Sequence, residues 1–290
     1  MTPTNEHELE DGDPAARSMS LTPEVWGVLL EEANRAGGTP SEAAERLIMA
    51  AISDQGHTLF QVSTTAALVK GVFSGATTVR ELKLHGDFGI GTFEGLDGEL
   101  ILLDGVCYRA TADGTLTVAG DDQGVPFAVV TQFSGDDESQ LGPVRSLAEL
   151  GASLDELRPS QNVFMAVRAD GNLARLSMRA ACRANPGEDL VAATSHQSEF
   201  AAANVPGTLL GFWSPPYARS FNVPGYHFHF VSADRSLGGH VLDLSADTLD
   251  IAVHVESDVH VALPDTAEFL AADLRGDTAE ALDIAESPRS

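Results

Sequence analysis

Pro224-Gly225-Tyr226-His227-Phe228-His229-Phe230, followed by Gly238-Gly239-His240, is the stretch that decides how this chain is read. In a strand, residues two apart point to one face. His227 and His229 therefore project together, and Tyr226, Phe228 and Phe230 line the other face as core. If Ala233 to Ser236 forms the tip of a hairpin, His229 falls opposite His240 on the neighbouring strand. Directly opposed side chains share a face with Cβ atoms roughly 5 Å apart, so three imidazoles converge. Two histidines on one strand and one across from them suit Zn²⁺, which takes imidazole nitrogen at about 2.0–2.1 Å. Gly238-Gly239 permits a close approach of backbone to that site. A His-x-His pair by itself reads equally as surface residues of a half-exposed hairpin. The third histidine at matched spacing is what makes a metal site the expectation.

Outward from this hairpin the chain alternates strands with a few helices. Thr208 to Trp213, Tyr226 to Val231, His240 to Leu244 and Ile251 to Leu263 read as strands, as does Phe164 to Met178. Glu99 to Leu103 and Val106 to Arg109 are strands joined at Asp104-Gly105, a hairpin dipeptide. Leu116 to Val118 and Phe127 to Phe133 add strand, and Ser146 to Arg158 reads as helix, as does a stretch starting near Ser63-Thr64. No regular βαβ repeat emerges, so the expected class is α/β in the mixed α+β sense, with mixed β-sheets. The domain expectation is two strand-rich subdomains, 56–180 and 181–290, the second carrying the histidines.

The first fifty-odd residues differ. Residues 1–15 read as a disordered acidic leader, with neither the basic start nor the apolar stretch of a secretory signal. In 16–55, Arg17-Ser18-Met19-Ser20-Leu21 alternates like a short strand. Thr22-Pro23 opens a helix that Gly37-Gly38 ends, and Thr39-Pro40-Ser41-Glu42 is a capping box opening a second. Strand, helix, turn, helix resembles a ribbon-helix-helix unit. Arg17 is the only base near its readable face, and Glu24, Glu31, Glu32, Glu42 and Glu45 surround it. A dimerisation appendage is therefore expected rather than a DNA-binding head.

Composition narrows the partners. The net charge is −26, with 43 Asp and Glu against 17 Lys and Arg. Such a surface repels nucleic acid and anionic lipid, whose binding rests on Lys and Arg. No apolar run is long enough to cross a bilayer. Cys107 and Cys182 give no disulfide framework, so a cytoplasmic protein is expected. An anionic substrate would be repelled at long range, and its site needs a strong local cation.

His254, Glu256, Asp258 and His260 also alternate along one strand. They sit within the apolar alternation Ile251, Val253, Val255, Val259, Val261, so a polar solvent face accounts for them and they are left out of the site. His7, His57, His85 and His196 have no partners at useful spacing.

Several longer motifs carry a family resemblance. Leu59-Phe60-Gln61-Val62-Ser63-Thr64, His85-Gly86-Asp87-Phe88-Gly89-Ile90-Gly91-Thr92-Phe93, Leu96-Asp97-Gly98-Glu99, Gly211-Phe212-Trp213 and the histidine hairpin resemble the alpha-acetolactate decarboxylases from about His57 onward. The resemblance implies zinc on His227, His229 and His240. It also implies roles for Glu99, Thr92, an arginine best matched at Arg179, and a C-terminal glutamate, Glu286. Arg175 and Arg183 compete with Arg179.

The implied reaction turns 2-acetolactate into acetoin and CO₂, with Zn²⁺ as Lewis acid and Arg179 on the substrate carboxylate. Glu99 and Glu286 would serve as acid/base or positioning groups, in an enzyme expected to be a homodimer. Two rivals remain at this point. One is a different metal-dependent lyase, isomerase or cupin-like dioxygenase, although no carboxylate follows the His-x-His before Asp234. The other is a non-enzymatic ligand sensor using the N-terminal segment.

Overall fold

The fold is that of a computed structural model, which describes residues 20–54 and 57–286. The expected leader and Arg17-Ser18-Met19 lie outside these residues. Two compact units result, Met1–Ser53 and Asp54–Ser290.

In the first unit, helix α1 (Pro23–Ala36) begins at Thr22, whose side chain accepts from the Val25 N–H at 3.4 Å. It ends at Gly37, whose φ of 73° is the left-handed conformation that glycine adopts without penalty. Thr39 and Glu42 cap α2 (Pro40–Asp54) reciprocally: the Thr39 N–H donates to Glu42 Oε2 at 2.7 Å, and the Glu42 N–H to Thr39 Oγ1 at 3.2 Å. Leu29, Ala33 and Ala43 are its buried core. Ser20 and Leu21 are not in a strand, so among the described residues the ribbon of a ribbon-helix-helix unit is not seen.

The second unit opens with β1 (Thr58–Val62) and α3 (Thr65–Val69), the helix capped by Thr64. A short strand β2 (Thr77–Thr78) leads into α4 (Val79–Leu82), and then come β3 (Phe88–Thr92) and β4 (Glu99–Leu103). Asp104 and Gly105, both at positive φ (52° and 75°), make the expected tight turn into β5 (Val106–Ala110). Strands β6 (Leu116–Val118), β7 (Gly124–Val125), β8 (Phe127–Thr131) and β9 (Asp137–Leu141) follow. Helix α5 (Leu147–Asp155) precedes the long β10 (Phe164–Ala180), then α6 (Leu190–Thr194) and β11 (Ser198–Ala202). The end of the chain is β12 (Val205–Ser214), β13 (Gly225–Ser232), β14 (Gly238–Glu256), β15 (Asp258–Ala262), α7 (Ala267–Ala271) and α8 (Ala279–Glu286).

These strands form two large sheets. The first runs β15-β1-β8-β3-β4-β5-β6, and the second β11-β10-β12-β13-β14-β9. An additional β10–β14 pairing closes β10, β12, β13 and β14 on one another. The architecture is mixed α+β, since β15 pairs parallel to β1 while β1–β8 is antiparallel. Position 180, the expected subdomain boundary, is the last residue of β10, inside the second sheet. The chain changes sheet between β8 and β9 instead, and β15 returns to the first.

Apolar side chains of both sheets share a core: Leu59, Phe88 and Ile101 from the first, and Ala166, Leu210, Phe212 and Val231 from the second. The other face of the second sheet packs Phe228, Phe230, Val253 and Ile251 against Leu150 and Leu154 of α5. The second sheet is thus covered on both faces. That corrects the reading of His254 and Glu256 as a solvent face, because they are 0% and 2% exposed on the side turned to the first sheet. Asp258 and His260 are exposed and belong to β15, in the other sheet.

Candidate metal centre and its surroundings

Strand register builds the site. His229 pairs with His240 across β13–β14, and His240 pairs with Arg179 across β14–β10. Directly paired residues share a face, so Arg179, His240 and His229 form a row over three adjacent strands, with His227 two residues along. The row faces the first sheet, where Glu99 and Thr92 are themselves a register pair on β4 and β3. The turn between β13 and β14 falls at Ala233–Ser236, as the spacing required. Its two glycines do what was expected of them. A Cβ on Gly238 would lie 2.7 Å from both Leu116 and the Phe230 carbonyl, and one on Gly239 2.8 Å from the Arg179 carbonyl.

The three imidazoles offer nitrogens within 4.8 Å of one another. His227 Nε2 lies 2.9 Å from His240 Nδ1. The Leu100 carbonyl oxygen sits 3.0 Å from His229 Nδ1, which sets that nitrogen as the N–H and leaves Nε2 with the lone pair. Burial, and secondarily Arg179, pushes His227 down to about 3. Burial also holds His229 and His240 well below the ordinary histidine value. All three are neutral at pH 7, as donors to a cation must be. A fixed tautomer and neutral, converging nitrogens fit a divalent first-row metal.

Around this trio stand one arginine and two carboxylates. The guanidinium of Arg179, 4% exposed, donates to Glu286 Oε2 at 2.8 Å and to the Ala285 carbonyl. Glu286 Oε2 is also 3.7 Å from His240 Nε2. It is presented there by α8, whose Leu282 and Ala285 are buried with Val69, Phe73 and Leu190 from α3, α6 and the loop after α3. Glu99 Oε2 is 3.8 Å from His229 Nε2, and its Oε1 accepts from the Ala181 N–H at 2.8 Å. Burial pushes the Glu99 carboxyl up to about 7, against the opposing pull of Arg179 and the Ala181 N–H. Thr92 Oγ1 donates to the Gly98 carbonyl at 2.9 Å, securing the turn from which Glu99 starts β4.

The competing arginines lie elsewhere. Arg175 is exposed and pairs with Asp243 at 2.8 Å, and Arg183 is exposed and pairs with Asp97 at 3.3 Å. Sequence reasoning missed the backbone partners of the site, namely the carbonyls of Leu100 and Ala285 and the N–H of Ala181. Any residue supplies these, so no side chain marks them. It also missed that His57 has partners: its ring stacks on His254 at 4.7 Å, with Asp136 nearby.

Comparison with known proteins gives the geometry a family. The model of the alpha-acetolactate decarboxylase family matches residues 59–276. The alpha-acetolactate decarboxylase of Methanosarcina mazei is 41% identical over 260 residues, covering 87% of this chain and 90% of that protein. That of Brevibacillus brevis is 37% identical over 251 residues, covering 86% and 88%. The crystal structure of alpha-acetolactate decarboxylase from Bacillus subtilis superimposes with a TM-score of 0.77 at 34% identity, covering 80% of this chain and all of that one. From β1 to beyond α7, three quarters of its length, the chain belongs to the alpha-acetolactate decarboxylase family.

Proposed function

We propose that the protein decarboxylates 2-acetolactate to acetoin and CO₂ using a Zn²⁺ ion that His227, His229 and His240 would hold. The carboxy-lyase class comes with the family. The observation that supports the rest is the buried row Arg179–His240–His229, which sets a guanidinium for a substrate carboxylate beside a neutral imidazole trio. The cation would supply Lewis acidity toward the ketone and hydroxyl oxygens of the substrate, where negative charge collects as CO₂ leaves.

The chain's own residues do the rest. Arg179, buried and positive, binds and orients the carboxylate and offsets the repulsion that a chain of net charge −26 exerts on an anion. Breaking the bond to the carboxylate sends its electron pair into the adjacent ketone. A proton delivered to the carbon that lost CO₂ then completes acetoin. Glu99, poised near pH 7, is suited to hold that proton, and Arg179 with Glu286 can position a water beside it. Thr92 acts through the turn that aims Glu99. Helix α8, anchored by its buried Leu282 and Ala285, holds Glu286 and the Ala285 carbonyl against Arg179.

The same reading takes the enzyme as a cytoplasmic homodimer. Support comes from two cysteines without a disulfide and from Val25, Val28, Leu30, Leu47 and Ile48, which α1 and α2 leave exposed for self-association. Among the described residues no helix is long and apolar enough to cross a membrane. The test is an acetoin assay with metal analysis on wild type and His229→Ala. Wild type should carry zinc and form acetoin, and the variant should lose both. A metal-free variant that still releases CO₂ from acetolactate would refute the assignment.

A further inference from the structure

A second group with metal-ligand chemistry lies at the other end of β14, apart from the site described above. His254, 0% exposed, turns Nδ1 to within 2.8 Å of Asp136 Oδ2. Ser134 Oγ bridges the pair, 2.9 Å from that nitrogen and 2.7 Å from Asp136 Oδ1. His57, just before β1, lays its ring on that of His254 and brings Nδ1 to 4.0 Å from Asp136 Oδ2 and 2.9 Å from the Val255 carbonyl. One nitrogen or oxygen from each of His57, Asp136 and His254 lies within 4.8 Å of the others.

Glu256 adds an independent observation. It is 2% exposed, two residues along β14, with Oε2 3.9 Å from His254 Nε2. Neither of its oxygens has a hydrogen bond of normal geometry, although the Thr131 hydroxyl approaches. A buried carboxylate facing the far nitrogen of an imidazole is the arrangement that orients a metal-bound histidine. When Nδ1 gives its lone pair to a cation, Nε2 must carry the proton and can donate it to the carboxylate. A dication would also offset the negative charge that Asp136 brings to this place.

We infer that His57, Asp136 and His254 form a second divalent transition-metal site, with Glu256 orienting His254 from behind. Two nitrogens and one carboxylate oxygen select the zinc–cobalt–nickel class over calcium or magnesium, which prefer all-oxygen sets. His57 and Asp136 are exposed, so they can close the remaining distance by side-chain rotation. They come from outside the strands, before β1 and before β9, while His254 lies in the second sheet. An ion here would tie the entry of the chain into the first sheet to the second sheet. It would be a structural clamp, outside the decarboxylation site.

The full chain, stripped with a chelator and titrated with Co²⁺ alone in molar NaCl to screen diffuse attraction to the acidic surface, tests this. Equilibrium dialysis should count two equivalents per wild-type chain. His57→Ala/Asp136→Asn should keep one equivalent and full decarboxylation after Zn²⁺ reloading. His229→Ala should keep the other, with its own cobalt absorption spectrum and no decarboxylation. A wild-type chain that binds one equivalent, lost in His229→Ala, overturns the second site and leaves the proposed function standing. Two equivalents retained by His57→Ala/Asp136→Asn overturn it as well. Loss of neither equivalent in His229→Ala would instead overturn the first assignment.

Discussion

His240 near the start of β14 and His254 near its end sit on one strand and turn toward the same opposing sheet, yet their surroundings differ. At His240 the neighbours in register are another histidine and a buried arginine, so three strands deliver polar groups to one spot. At His254 the register partner is Ala166, and the polar company comes from loops, His57 and Asp136, and from Glu256 on the same strand. The first cluster is assembled by the hydrogen-bond ladder and is as rigid as the sheet. The second depends on exposed segments. A strand therefore offers a preformed site where its cross-strand partners are polar, and a conditional one where only its flanks are.

Changes at the two ends of β14 should separate these environments. Replacing His229 by Ala should lower kcat/KM with acetolactate by about three orders of magnitude or more, the several kcal/mol that Lewis-acid stabilisation supplies. His57→Ala, at the other cluster, should leave kcat/KM within about twofold, and steady-state assays compare them directly.

The opposite face of the same hairpin should register in stability. Phe228, 1% exposed against α5, should cost about 3–5 kcal/mol of unfolding free energy when changed to Ala, read from urea denaturation. An exposed β14 residue such as Asp250 should change by less than about 0.5 kcal/mol on replacement by Asn.

Within the site, Arg179→Lys keeps the charge and loses the planar fork. A fall of about 10- to 100-fold in kcat/KM is expected, matching the roughly 1.5–3 kcal/mol of a charge-assisted pair. Arg175→Lys and Arg183→Lys should be near neutral, because both arginines are exposed and their pairs with the half-buried Asp243 and Asp97 are open to water. If Arg183→Lys gave the larger loss, the row Arg179–His240–His229 would not be the reacting geometry.

The smallest effect concerns Cys107, in the first sheet far from both histidine groups along the chain. Burial pushes its thiol from the ordinary value near 9 up to about 12. Its folded-state value is raised, so its contribution to stability is complete below about 9 and is lost as pH rises toward 12. At pH 8 a thiolate-selective reagent should label the half-buried Cys182 in native protein and reach Cys107 only after denaturation. Mass spectrometry of the labelled peptides checks this.

The hairpin was legible because strand period and turn length are local quantities. His227, His229 and His240 are separated by a predictable turn, and the register follows from counting. Arg179 and Glu99 were reached through resemblance, since nothing local tells a buried arginine on a long strand from Arg175 four residues earlier. Glu286 lies beyond the matched family segment and owes its place to the packing of Leu282 and Ala285, a tertiary fact.

The misreading of His254 and Glu256 has a physical cause. Alternation of apolar and polar residues says that the two faces differ, without saying that the polar face meets water. Here the first sheet covers it. The partners His57 and Asp136 stand far away in sequence, so no spacing rule could have joined them.

The central claim, that the imidazole trio on β13 and β14 holds the cation on which decarboxylation depends, is tested most directly by metal depletion and return. Wild-type protein is stripped of metal, zinc is restored in steps, and acetoin formation is measured against the occupancy of the site that His229→Ala removes. Activity should be absent at zero occupancy and rise in proportion to it, reaching a plateau when that site is filled. Full acetoin formation by the metal-free chain would contradict the account.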